Sequence, residues 1–168
     1  MKFTYDKSEL DFIYDTDYCS FGNVDVAGSN YFNDNYSKYV SSLGIKTCTT
    51  NRQVSLLYGR GSMGTHTDQV DGYVLLTFLR AEWMEDPKDR PDFHENDGQF
   101  FFRGKMSTMT EGDSIIFNDD EEHAWLCNSW WAFVTISLDC EWVENNVKQK
   151  YIGTVLNQES VDSFKSVH

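Results

Sequence analysis

His66 and Asp68 stand two residues apart in "GTHTDQVDGYVLL", directly ahead of an apolar run. Residues i and i+2 of a strand project from the same face, so a strand through "THTD" would aim an imidazole and a carboxylate into one space. His123, in "EGDSIIFNDDEEHAW", is the best third candidate. It follows a Gly112–Asp113 turn and an apolar strand that would bring it back across a barrel. Two imidazoles and one carboxylate would hold a divalent metal and leave three coordination positions open, the donor set of non-haem Fe(II). Closed structural zinc sites use four ligands, usually thiolates. Cys19, Cys48, Cys127 and Cys140 show neither CxxC pairing nor zinc-finger spacing. His94, in a polar loop, and His168, at the chain end, read as solvated. The run "NDDEEH" reads as a solvated turn, yet its charge would favour a nearby cation and raise the pKa of His123.

Such a triad needs strands to hold it, and the pattern supplies them. "QVSLLY", "YVLLTFL", "GQFFF", "DSIIF" and "WWAFVTISL" are short, rich in aromatic and β-branched residues, and bounded by turn residues. Many short strands with few helices between them predict a mainly β fold, an antiparallel sandwich or barrel. Ahead of them, "SNYFNDNYSKYVSSLG" predicts a helix capped by Ser29 or Asn30. Phe32, Tyr36, Tyr39, Val40 and Leu43 share one face, and Gly44 ends it. "MEDPKDRPDFHENDG" predicts a long polar loop of the kind that overhangs a functional site. A single domain is expected: residues 1–52 as helix and strand support, 53–142 as the β core, and 143–168 as a C-terminal extension that forms a short helix around Ser160 to Val167 or packs along the outside of the barrel. Alternation sends Trp130 and Trp131 to opposite faces. Core packing is therefore favoured over a stacking platform built from Trp125, Trp130 and Trp131.

Composition excludes several functions. At 168 residues with 40% hydrophobic and 15% aromatic content, the chain can bury a core. A formal net charge of -13 argues against gripping nucleic-acid phosphates or anionic membranes. An acidic protein that blocks a basic partner remains an alternative, and predicts a contiguous acidic face. "MKFTYDKSELDF" lacks a basic start followed by an apolar core, and the cysteines read as reduced thiols, so a cytoplasmic location is expected.

The order of segments carries a resemblance. "LLYGRGSMGTHTD", "LLTFLRAEW", a polar loop, "DGQFFFRG", "EGDSIIFNDDEEHAW" and "WWAFVTISLD" resemble the 2-oxoglutarate/Fe(II) dioxygenases, especially the prolyl hydroxylase-like branch, from Gln53 to Asp139. The resemblance implies a double-stranded β-helix, or jelly roll, with Fe(II) on His66, Asp68 and His123 and 2-oxoglutarate as co-substrate. Hydroxylation of an unactivated C–H bond would follow, with O₂ and a small-molecule or polypeptide substrate as partners. It also implies that Tyr58 lines the co-substrate pocket. Thr77 replaces an assisting tyrosine, and Trp130 stands where an Arg or Lys would pair with the distal carboxylate. Arg80 is the leading substitute cation, followed by Arg60 and Arg103. The alternative is a metal-binding jelly-roll or cupin-like barrel without turnover.

Overall fold

In the computed structural model the described residues are 1–15, 21–25, 30–49, 54–68, 72–85, 98–127 and 130–165. Among the described residues, nine strands form two antiparallel sheets, the jelly roll expected from the sequence. The larger sheet has the order β1 (Phe21–Asp25), β2 (Val54–Arg60), β9 (Trp130–Ser137), β4 (Tyr73–Leu79), β7 (Ser114–Asn118). The smaller has the order β3 (Met63–His66), β8 (His123–Leu126), β5 (Gly98–Phe102), β6 (Lys105–Met109). The sheets meet through Trp125 of β8, whose ring lies 4.7 Å from that of Phe133 and 5.1 Å from that of Phe78.

The two faces of the larger sheet differ in what covers them. Val54, Leu56, Val134 and Ile136 are buried on the outer face, where helix α1 (Asn30–Ser42) packs. Phe32, Tyr36, Val40 and Leu43 of α1 are buried, as their helical spacing requires, and Tyr39 is half-buried. The Tyr36 hydroxyl shares a 2.9 Å hydrogen bond with Thr77, fixing the helix to β4. Gly44 turns the chain at φ +76°, a left-handed conformation that costs glycine nothing. The expected cap Ser29 lies outside the described residues, and Asn30 begins the helix. Central β4 is buried on both faces, which explains why "YVLLTFL" is continuously apolar.

Four strands carried little sequence signal. β1 is short, β6 ("KMSTM") is largely exposed, and β3 and β8 have four residues each. The β5–β6 hairpin pairs Phe102 with Lys105 across Arg103 and Gly104, both at positive φ (51° and 74°). That is the type I′ geometry matching the strands' twist. Beyond the core, α2 (Cys140–Asn146) begins at Asp139, whose carboxylate accepts from the Trp142 amide at 2.8 Å. α3 (Gln158–Lys165) is the expected terminal helix, opened by a reciprocal pair between Asn157 and Ser160 at 2.9 Å in each direction. Most of the long polar loop, residues 86–97, lies outside the described residues, as do His94, His168 and Cys19. Cys48, Cys127 and Cys140 form no disulfide with one another. No helix among the described residues is long and apolar enough to cross a membrane.

Candidate metal centre

His66 and His123 are register partners across the β3–β8 pair. Directly opposed residues on one face of an antiparallel pair hold their Cβ atoms about 4.5–5.5 Å apart, and these two rings lie 4.4 Å apart. Asp68 reaches them by a different route from the expected one. β3 ends at His66, so strand alternation does not place Asp68. Its amide instead donates to the Asp119 carbonyl at 3.0 Å, and the Asp119 amide donates to the Gly72 carbonyl at 3.1 Å. These bonds set the Asp68 carboxylate between the imidazoles, with Oδ2 3.1 Å from His123 Nε2 and Oδ1 3.9 Å from His66 Nε2. One ligand atom from each of the three residues lies within 4.8 Å of the others.

Both imidazoles are oriented for this arrangement. His66 Nδ1 donates to the Gly64 carbonyl at 2.7 Å, and His123 Nδ1 donates to the Glu121 carbonyl at 2.9 Å. A carbonyl only accepts, so each Nδ1 carries hydrogen and each Nε2 is left for an electrophile. Second bonds of this kind orient metal-ligating histidines. The His123 ring is further packed between Phe117 at 4.8 Å and Phe100 at 6.0 Å.

Charge at the site favours a cation. Burial pulls the His123 pKa down. The hydrogen bond to Asp68, the Glu121 carbonyl and the charges of Asp68 and Asp119 outweigh it, so the pKa ends above its ordinary value. Asp68 is held below the usual carboxylate range, chiefly by its bond to His123. Asp119 is pushed up to about 7 by burial, then by the neighbouring charge and hydrogen bond of Asp68. A second carboxylate therefore borders the triad. Asp119 belongs to the run read as a solvated turn, and nothing in its local sequence distinguishes it from Asp120, which is exposed.

The triad opens into a cavity of about 440 Å³ between the sheets. Phe100, Phe117, Trp125 and Phe133 make its apolar walls, while Ser55, Thr135 and Ser137 line the larger sheet's side. Trp125 lies close over β5 because Gly98 has no side chain. A Cβ there would sit 1.8 Å from the indole.

The other expected site residues are placed elsewhere. On β2 the cavity takes Ser55 and Leu57, and Tyr58, one residue on, faces away toward Phe12. Thr77 is bonded to Tyr36 and Ser114 on the helix-covered face. On β9 the cavity takes Phe133, Thr135 and Ser137, while Trp130 packs against Trp83 at 5.5 Å. Trp131 is core, its indole donating to the Gly61 carbonyl at 2.7 Å. Arg80 follows the end of β4 and is fully buried, donating to the carbonyls of Met84 at 2.6 Å and Trp130 at 3.3 Å. Arg103 pairs with Glu121 at 2.7 Å on the surface, and Arg60 is exposed at the end of β2. Among the described residues lining the cavity there is no Arg or Lys.

No family model matches the chain, and no curated protein matches it. Among solved structures it is similar to a cupin superfamily protein from Desulfitobacterium hafniense, at 12% identity, covering 73% of this chain and 81% of that one, with a TM-score of 0.43. It is also similar to a cupin 2 conserved barrel domain protein from Leptotrichia buccalis, at 13% identity, covering 76% and 46%, with a TM-score of 0.44. A predicted oxalate decarboxylase from Thermotoga maritima is similar at 19% identity, covering 53% and 68%, with a TM-score of 0.36. None of the three bears on the chemistry of this chain.

Proposed function

We propose that this protein is a jelly-roll metalloprotein of the non-haem Fe(II) oxygenase type. His66, Asp68 and His123 would hold one divalent metal and leave its other positions facing the cavity. The convergence of two Nε2 atoms on one carboxylate, with both Nδ1 atoms committed to carbonyls, carries this reading. Three protein ligands from two histidines and a carboxylate suit Fe(II) and leave room for O₂ and an organic ligand. Bound there, the metal would supply the electrons that activate O₂. The chain's part is to orient the ligands and to keep an apolar space around them.

The described residues fit the metal and offer no cation to the far carboxylate of 2-oxoglutarate. A dicarboxylate in a partly dry pocket needs a cation for its far end. The cavity's described lining supplies none, and Arg80 is committed to main-chain carbonyls. The metal half of the dioxygenase resemblance is thus kept without its prolyl hydroxylase-like co-substrate. The same feature favours a second reading, a metal-binding barrel without turnover.

Anaerobic reconstitution with Fe(II), followed by metal analysis, tests the proposal. Wild type is expected to retain one equivalent through desalting, and His66→Ala, Asp68→Ala and His123→Ala to lose it. Nitric oxide should then bind the loaded wild type at an open coordination position. Equal, substoichiometric iron in all four proteins overturns the metal centre and leaves the acidic interaction protein as the better reading. Oxygen uptake by the loaded protein separates the enzyme from the barrel without turnover.

A further inference from the structure

The larger sheet lines the cavity with three hydroxyls that belong to none of the candidate metal ligands. Ser55 of β2 and Thr135 of β9 are register partners, and Ser137 is the next residue of β9 on the same face. All three are half-buried, whereas their strand neighbours Val54, Leu56, Val134 and Ile136 are buried. All three line the cavity. None of the three hydroxyls has a hydrogen-bond partner among the described residues. Inward-facing hydroxyls of a barrel lose hydration unless a ligand or water replaces it. The central strands of the sheet carry them where apolar side chains would complete the core.

The charges of the cavity are Asp68 and Asp119, which border the histidines, and none lies on β2 or β9. A ligand whose anionic group chelates the metal would therefore meet neutral donors and acceptors with its far end. A carboxylate at that end would find no cation among the described lining residues.

Resting on the metal reading above, we propose that the ligand of this cavity chelates the metal at one end and is uncharged and hydrogen-bonding at the other. Ser55, Thr135 and Ser137 receive that far end, through an amide or hydroxyl group of the ligand. These three residues are the specificity determinants of the site. They select against dicarboxylates.

A matched pair of probes tests this. N-oxalylglycine and its terminal amide, N-oxalylglycinamide, chelate through the same oxamate head and differ only in a far carboxylate or carboxamide. Each is titrated into the Co(II)-loaded full-length protein while the visible d–d bands are followed. The amide is expected to bind at least about tenfold more tightly than the acid, because it avoids stripping water from an uncompensated charge. Ser55→Ala, Thr135→Val and Ser137→Ala should each weaken the amide by about 3- to 10-fold, the worth of one neutral hydrogen bond. Co(II) content and affinity for the acid should hold, showing that the variants fold and keep the metal. Acid binding as tight as amide binding overturns the proposal, as does an amide affinity indifferent to all three substitutions. If Co(II) binds at one equivalent and neither probe shifts the bands, this inference fails and the metal centre stands. If wild type takes up no Co(II), both fail.

Discussion

Metal at the triad must displace a proton. With Nδ1 donating to Glu121 and Nε2 facing Asp68 at 3.1 Å, His123 holds hydrogen on both nitrogens in the absence of a metal. Its pKa is raised above 6.5, so the stability it contributes is fully present below 6.5 and is lost as pH rises through the raised value. Asp68 is depressed below 3.8. Its contribution is present above 3.8 and disappears as pH falls through the lower value. Asp119, raised to about 7, favours the fold while protonated and loses that advantage as pH climbs toward 7. The metal-free protein should therefore lose stability as pH rises from 6.5 through the raised value of His123, while divalent-metal affinity rises over the same window. Titrations of Mn(II) at the two ends should differ by at least about tenfold. A flat profile would mean that His123 surrenders no proton and is not a ligand. The grouping of the two histidines with Asp68 was legible from their residue types, although the strand spacing that suggested it is not what places Asp68. Asp119 was not, because a carboxylate in an acidic turn becomes special only through the backbone bonds that pin it beside Asp68.

At the scale of elements, the apolar strands were legible because burial on one or both faces imposes its own pattern. β4 and β5 begin and end where "YVLLTFL" and "GQFFF" do. β3, β6 and β8 were not, since their residues are short in number or largely exposed. The helix α2 hides in a polar tail whose one strong signal is the Asp139 cap. In "VTIS", Thr135 and Ser137 alternate with the buried Val134 and Ile136, and the face they occupy lines the cavity. Arg80 shows the converse, a charge that is fully buried to join elements. It ties the end of β4 to the 3-10 turn Glu82–Glu85 and to the start of β9, while its backbone is bonded to the Tyr5 hydroxyl. Arg80→Ala removes a buried donor and leaves two carbonyls behind, at a cost of about 2–5 kcal/mol. Chemical denaturation should show that loss, with metal content unchanged in the protein that remains folded. Unchanged stability together with altered ligand binding would return Arg80 to the site.

For the whole molecule, the positions of the three candidate ligands decide how far metal binding would be felt. His66 closes the edge strand β3, His123 opens β8, and Asp68 is bonded to the Asp119 turn that leaves β7 of the other sheet. One ion at the triad would thus fasten the edge of the smaller sheet to a turn of the larger one. The -13 formal charge, from 27 acidic and 14 basic residues, adds a field that draws divalent cations and opposes the compact state in their absence. Binding to the native state alone stabilises by about 2.7 kcal/mol when the free metal is one hundred times Kd. For a chain of this length that corresponds to a rise in Tm of about 5–10 °C. Thermal scans of wild type against Mn(II) concentration should show this rise, growing with the logarithm of concentration once the site is filled. His123→Ala, Asp68→Ala and His66→Ala should each remove the dependence. Counterion screening by the acidic surface would produce a different signature: a rise shared by all four proteins, reproduced by Mg(II) and erased by added NaCl. A rise of that kind, with no difference between wild type and the triad variants, would place divalent cations on the surface and leave the cavity without a resident metal.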